Sequence, residues 1–137
     1  MRPADMLGLR TTARQFIESF LQDETTAGAS ARPQLSAVYN RHFGEPMSHY
    51  TERFLPTDRV PVAEDVEQSD NVARVIVREH LYKADIRRRY RLAVFGASWK
   101  IVGLDGECLV CSGTGQSENS PCRKCNGQGW YVIFPEA

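Results

Sequence analysis

The sequence has no excess of charge of either sign, because 17 basic and 17 acidic side chains give a formal net charge of zero. A protein dedicated to nucleic acid usually carries a surplus of lysine and arginine, so this balance argues against that class. No apolar stretch approaches the roughly 18 residues that cross a bilayer. The first residues also lack the apolar run of a secretory signal. We therefore expect a cytoplasmic protein with no membrane association.

Sequence signatures of common catalytic sites are also missing. The chain contains no glycine-rich phosphate loop and no G-x-S-x-G nucleophile elbow. The sequence therefore assigns no residue to catalysis, and an enzyme would have to be recognised from its fold.

What the sequence does contain is one phrase written twice near the C-terminus. Residues 108–115 and 122–129 both read C-x-x-C-x-G-x-G. Two close pairs of thiolates are the ligand set of a tetrahedral structural zinc ion. Glycines after each pair permit the positive-φ backbone of a metal knuckle. We therefore predict one structural zinc ion, bound by Cys108, Cys111, Cys122 and Cys125.

Other interpretations of the cysteines are weaker. A disulfide framework needs an oxidising compartment, which a chain without an export signal does not reach. A redox C-x-x-C pair usually opens a helix, and the glycines after each pair argue against one. A catalytic zinc ion keeps one coordination position open, whereas four cysteines fill all of them.

The doubled phrase resembles the cysteine-rich zinc domain of DnaJ-type chaperones. In that family four such phrases form two zinc sites, so the resemblance implies one site over residues 108–129. None of His42, His49 and His80 begins an H-P-D sequence. The J-domain signature is therefore absent, and the chaperone cycle is not implied. Leu109 and Val110 make the first knuckle unusually apolar, so we expect it to pack against its own protein.

Residues 1–107 show helical spacing first and strand alternation afterwards. Helices are predicted over residues 11–22, with Thr11 or Thr12 as the N-terminal cap, and over residues 33–42, with a loop over residues 23–33 and a further short helix at 50–55. Alternating residues then predict an antiparallel meander, with a returning strand at the end of the chain that joins either this sheet or the sheet of a partner. The predicted strands cover residues 60–66, 72–82, 86–95, 99–104 and 130–134, and the predicted turns lie at 69–71, 83–85 and 96–98.

This order of elements predicts an α+β domain over residues 1–107, with N-terminal helices packed on a curved antiparallel sheet. A zinc module with the returning strand would follow over residues 108–137. Helices followed by a long-stranded meander resemble the nuclear transport factor two-like fold, a cystatin-like cone, over about residues 8–105. The resemblance admits a homodimer through the open face of the sheet and a small apolar ligand inside the cone.

An enzyme of this fold would need an acid or a base inside the cone. Glu79 alternates with Val75 and Val77, which places a carboxylate in an apolar interior. The alternative, which we favour, is that the strand is bulged or shifted, or that Glu79 pairs with an arginine across the sheet. The candidates by residue type are Tyr39, His42, His49, Tyr50, Glu79, His80, Tyr82 and Asp85.

Arg87, Arg89 and Arg91 fall on one face of the predicted strand 86–95. They form either a strip for an anion or nucleic acid, extended by Arg88, Arg123 and Lys124, or a solvated face matched by acidic neighbours. We favour the second interpretation, with Glu64 and Glu67 as the acidic partners, because no aromatic side chain is expected on this face.

Three functions remain open. The leading one is a non-catalytic binding or interaction module for a protein or peptide, and the others are a small lyase or isomerase acting on a hydrophobic metabolite in the cone, and nucleic-acid binding. The predicted binding residues are Tyr39, Glu79, His80, Tyr90, Leu109, Val110 and Trp130.

Overall fold

The structure, a computed structural model, describes residues 11–28, 32–44, 60–81 and 84–134. The predicted helix at 50–55 lies outside these ranges, as do His49, Tyr50 and Tyr82 and the side chain of His80. Within the described ranges, no helix is long and apolar enough to span a membrane.

Two helices begin the described chain, α1 over Ala13–Gly28 and α2 over Arg32–His42. Thr12 caps α1, because its hydroxyl oxygen accepts the Gln15 N–H at 3.1 Å and the Gln15 side chain accepts the Thr12 N–H at 2.9 Å. This reciprocal pair is a capping box, which satisfies amides that have no partner within the helix. The predicted cap at Thr12 and the second predicted helix are confirmed.

The predicted loop over residues 23–33 is wrong as far as Gly28, because α1 continues through it. Small and polar residues are typical of linkers, yet Glu24 and Ala27 are buried in the helical face. Glu24 accepts a hydrogen bond from the Tyr39 hydroxyl of α2 at 2.7 Å. Contacts with α2 therefore extend a helix that local propensity alone would end earlier.

An antiparallel sheet of five strands follows, and its order β1-β2-β3-β4-β7 is a meander closed by the last strand. The prediction of helices packed on an antiparallel sheet is confirmed. The division of the chain at residue 107 stays a prediction. A separate hairpin of β5 and β6 lies between the two cysteine pairs. The strands are β1 (Val62–Gln68), β2 (Val72–Leu81), β3 (Ala84–Phe95), β4 (Ser98–Glu107), β5 (Gln116–Ser117), β6 (Ser120–Pro121) and β7 (Trp130–Phe134).

Most of the predicted strand positions are confirmed, and one turn is shifted. Ala84 and Asp85 pair with Leu81 and His80 in the β2–β3 ladder, so they belong to β3 and not to a turn at 83–85. The long ladder extends the strand because each added pair forms further backbone hydrogen bonds. The returning strand β7 pairs with β4, as one of the two predicted arrangements required.

The core lies between the two helices and one face of the sheet. Alternate residues of β2, from Ala73 to Glu79, point into it, as the predicted period of two requires. Trp99 of β4 is buried there and donates its indole N–H to the Thr11 carbonyl oxygen at 3.2 Å. The core therefore fixes β4, the strand that leads directly to Cys108. Its largest buried apolar members are Ile17, Phe20, Leu21, Tyr90, Leu92, Trp99, Ile101 and Leu104.

Glu79 lies inside this core with 1% of its surface exposed. Its carboxylate is 3.1 Å from the guanidinium of Arg88 and accepts the Tyr90 hydroxyl at 2.9 Å. The favoured interpretation, an arginine partner across the sheet, is confirmed. A buried charge keeps its place only with such partners, and removal of one partner typically costs about 3–5 kcal/mol.

His42 closes α2 between the rings of Phe16 and Phe20, whose centroids lie 5.5 and 5.2 Å from its own. Its Nδ1 donates to the Val38 carbonyl oxygen at 2.7 Å. Burial lowers the pKa of His42 below 6.5, although the Val38 hydrogen bond and Asp23 act in the opposite direction. The cationic neighbours Arg41 and Lys100 add smaller lowering effects.

The lowered pKa of His42 predicts loss of stability in mild acid. The unfolded chain takes up the proton near pH 6.5, before the folded chain does, so the free energy of unfolding falls as the pH drops below that value. We expect His42→Gln to remove part of this fall, measured by urea denaturation between about pH 7.5 and 5. Parallel curves for the two proteins would contradict it.

Candidate metal centre

The sulfur atoms of the four cysteines form one cluster in the segment that connects β4 to β7. All four Sγ atoms lie within 4.8 Å of one another. The Cys108–Cys122 separation is 3.8 Å, and the Cys111–Cys125 separation is 3.6 Å. Sulfurs each about 2.3 Å from a tetrahedral zinc ion would lie about 3.8 Å apart. The four side chains are buried and fit a tetrathiolate metal ion.

Each knuckle turns its backbone amides toward its own sulfur. The Gly115 N–H donates to Cys111 Sγ at 3.3 Å, and the Gly129 N–H donates to Cys125 Sγ at 3.1 Å. Both glycines have positive φ, at 79° and 84°. The predicted need for glycine at these positions is therefore confirmed. Such amide–sulfur bonds orient the ligands and support thiolate charge.

The two halves of the site exchange equivalent bonds. The Cys108 N–H donates to the Gly129 carbonyl oxygen at 2.8 Å, and the Cys122 N–H donates to the Gly115 carbonyl oxygen at 2.8 Å. A Cβ atom added at Gly129 would lie 2.4 Å from the Gly113 oxygen, and the matching contact at Gly115 has the same length. The repeated phrase therefore folds as one unit with approximate two-fold symmetry.

One ligand sulfur, that of Cys111, has a shifted pKa. Burial raises the pKa of the Cys111 thiol, but the Gly115 N–H and the three other cysteines outweigh it and lower the pKa to about 6. Because metal ions bind thiolates and not thiols, this shift favours the metal-binding form of Cys111 at neutral pH.

A short hairpin connects the two knuckles. Gln116 and Ser117 of β5 pair with Pro121 and Ser120 of β6. The two residues between them, Glu118 and Asn119, both have positive φ, as a type I′ turn requires. The connection is therefore a defined element and not a free loop.

The first knuckle rests on an ion pair of the main sheet. Arg87 of β3 and Glu107 of β4 form a salt bridge. A Cβ added at Gly113 would lie 2.9 Å from the Glu107 carboxylate and 3.4 Å from the Arg87 guanidinium. Since Cys108 follows β4 and Trp130 begins β7, the metal site is joined to the sheet at three places.

The arginine row is paired, but not with the predicted partners. Arg89 and Arg91 lie 2.9 and 3.2 Å from Asp105 of β4. Glu64, one predicted partner, pairs instead with Arg78, at 3.0 Å. The acids of β4 are closer because β4 is the direct neighbour of β3. The prediction that acidic side chains pair with this row is therefore confirmed, but the acids are Asp105 and Glu107 in place of Glu64 and Glu67.

The expectation that this face carries no aromatic side chain is wrong. The Trp130 ring lies 4.9 Å from the Arg89 guanidinium and 6.0 Å from that of Arg87. Trp130 reaches this face because β7 pairs with β4 in a register that sets it opposite Glu107. The resulting cation–π contacts hold the start of β7 on the sheet.

Leu109 and Val110 are exposed to 68% and 60%, so the expectation that these apolar residues pack the first knuckle against its own protein is wrong. Cys108 and Cys111 both turn inward to the metal position. The two residues between them therefore face solvent.

The structure divides the predicted binding residues into two groups. Glu79 and Tyr90 lie together in the core, and the ring of Phe20 separates Tyr90 from the half-buried Tyr39. The second group, Leu109, Val110 and Trp130, lies around the metal centre. A binding role for either group stays a prediction. The sequence does not point to the groove that Val110, Arg123, Lys124 and the β5–β6 hairpin line beside the second knuckle. Its walls come from separate segments that only the fold brings together.

Comparison with known proteins gives partial matches. No family model matches, and no solved structure gives a significant match. The phenylalanine–tRNA ligase alpha subunit of Nitratidesulfovibrio vulgaris strain DP4 is 30% identical over 113 residues, covering 77% of this chain and 31% of that protein. The same subunit of Roseiflexus is 28% identical over 83 residues, covering 60% of this chain and 22% of that protein. The chain thus spans less than a third of these relatives' length.

Loss of one ligand is expected to release the metal without unfolding the core. In Cys108→Ser, zinc measured by elemental analysis should fall from one ion per chain to almost none, and amide protection should drop in residues 108–134. The helix and sheet signals in circular dichroism should remain. Val110→Ser, in the same knuckle, is the control that should retain zinc. Complete loss of secondary structure in Cys108→Ser would contradict this separation.

Close packing between the knuckles predicts that Gly129→Ala lowers the affinity for zinc. Placing alanine at a positive φ lowers the free energy of unfolding by about 1 kcal/mol. Gly96→Ala shows this effect alone, because φ is +64° there and no atom lies within 4 Å of the added Cβ. At Gly129 the Cβ also meets the Gly113 carbonyl oxygen. Zinc affinity, measured by competition with a chromogenic chelator, should therefore fall in Gly129→Ala and stay unchanged in Gly96→Ala. Equal affinities in both variants would refute the close contact.

Proposed function

We propose that this protein is a non-catalytic interaction module in which a structural zinc ion holds a rigid surface for a protein or peptide partner. The observation that carries this proposal is the exposure of Leu109 and Val110 on a knuckle whose sulfurs are buried. Exposed apolar side chains on a fixed backbone are typical of sites that bind partners.

Rigidity supports the same function. The knuckle is fixed by the sulfur cluster, by the hydrogen bonds to Gly115 and Gly129, and by the Arg87–Glu107 pair beneath it. A surface that is ordered before binding loses less conformational entropy when a partner docks. Zinc in such a site contributes folding energy and no open coordination position, so it supports binding and not hydrolysis.

The two family resemblances belong to this proposal. Two helices followed by an antiparallel meander support a nuclear transport factor two-like domain. The paired phrase with its amide–sulfur bonds supports a DnaJ-type zinc module. We also propose a cytoplasmic location, since a tetrathiolate site requires reduced sulfurs. We further propose that the chain forms a homodimer through the sheet face that the helices leave uncovered. We also propose that the cone binds a small apolar ligand.

The alternative functions receive less support. Glu79, the strongest candidate for an acid or base, is engaged by Arg88 and Tyr90. The similarity to phenylalanine–tRNA ligase alpha subunits would favour a role with RNA. Yet Arg87, Arg89 and Arg91 are already paired with carboxylates, which leaves that row poorly suited to phosphates.

Site-specific cross-linking tests the proposal. A photoreactive phenylalanine analogue replaces Leu109 in the zinc-loaded chain, and the same analogue replaces Phe95 as a control, because Phe95 is also an exposed apolar residue, at 47%. In extract from the native host, irradiation should give a discrete adduct at Leu109 that disappears after removal of zinc. Identical adducts at both positions, or none at Leu109, would overturn the proposal.

A further inference from the structure

The two knuckles share one backbone but carry different chemistry between their ligands. The first knuckle has Leu109 and Val110 at these positions, and the second has Arg123 and Lys124. All four side chains are exposed. Because the two halves exchange equivalent hydrogen bonds, these positions correspond in the fold. The halves therefore differ in what they present to solvent and not in how they hold the metal.

Three of the four differing side chains border a single groove. Val110, Arg123 and Lys124 line a groove of about 630 Å³ whose remaining wall is the β5–β6 hairpin. A groove of this size accommodates a few residues of an extended peptide. Glu118 also lines it, so the ionisable lining residues carry two positive charges and one negative charge. The groove is thus lined by the exposed apolar side chain of Val110 and carries a net positive charge.

These two cations differ from the arginines of the sheet. Arg87, Arg89 and Arg91 are engaged by Glu107 and Asp105. Among the residues that the structure describes, neither Arg123 nor Lys124 forms an ion pair. Their charge is therefore open to a ligand. Neither cation is needed to neutralise a carboxylate within the fold.

We propose that this groove binds an extended peptide segment in which an apolar residue stands next to acidic residues. The proposal rests on the interaction function proposed above and names the chemistry of the partner. The apolar side chain contacts Val110, and the carboxylates pair with Arg123 and Lys124. Contact with the apolar wall supplies affinity, and the charges fix the direction of the segment and exclude basic peptides.

Four fluorescein-labelled peptides of about eight residues in a common glycine–serine frame test the proposal. Three carry two leucines followed by two aspartates, two serines or two lysines, and the fourth carries two serines followed by two aspartates. Binding to the zinc-loaded full chain is measured by fluorescence anisotropy at low salt. The leucine–aspartate peptide should bind about tenfold more tightly than the leucine–lysine peptide, the sum expected from two exposed ion pairs.

Charge reversal gives the decisive comparison. In the double variant Arg123→Glu/Lys124→Glu, the leucine–lysine peptide should become the tighter ligand. Val110→Ser should weaken binding of the leucine–aspartate peptide, and Glu118→Gln should strengthen it. Arg74→Glu, an exposed arginine on the sheet, is the control that should keep the original order. Zinc content is measured in every variant, so that a misfolded knuckle is recognised.

The outcomes separate this inference from the proposed function. Equal binding of the three leucine peptides would overturn the preference for acidic residues in the partner. It would not contradict the proposed interaction function. Equal binding of the serine–aspartate and leucine–aspartate peptides would overturn the apolar contact. Failure of every peptide to bind at millimolar concentration would overturn the inference, whereas the proposed function would still be decided by cross-linking at Leu109.

Discussion

Four sulfur atoms that converge between β4 and β7 are the constraint on which the C-terminal part of the structure depends. Cys108 follows β4 directly, and Cys125 precedes β7 by a few residues. The sulfur cluster therefore sets the path by which the chain returns to the sheet. The core of helices and sheet holds β4 independently, through Trp99 and its apolar neighbours. The cysteine cluster and the packing of the core thus fix the two ends of one connection.

The metal centre could be predicted from sequence because its geometry is local. Two cysteines separated by two residues, with glycines two and four positions later, determine a knuckle through backbone conformation alone. The same holds for the capped start of α1 and for the alternation of β2, since both patterns depend on neighbouring residues. These features need no knowledge of which strand pairs with which.

The remaining features depend on contacts between distant segments. Helix α1 passes through a polar stretch because Glu24 meets Tyr39, a contact that no periodicity shows. Trp130 reaches the arginine face because β7 pairs with β4 in one particular register. Leu109 and Val110 look like core residues by composition, and only the direction of the metal ligands explains their exposure.

The pairing of β7 with β4 also bears on how the protein behaves if the cysteine cluster opens. If β7 leaves the sheet, the uncovered edge of β4 carries Asp105 and Glu107, close to the arginines of β3. Charged edges resist the strand-to-strand stacking that begins fibril growth. An open cluster would then yield a loosened but dispersed molecule, ready to recapture an ion, in place of an insoluble deposit.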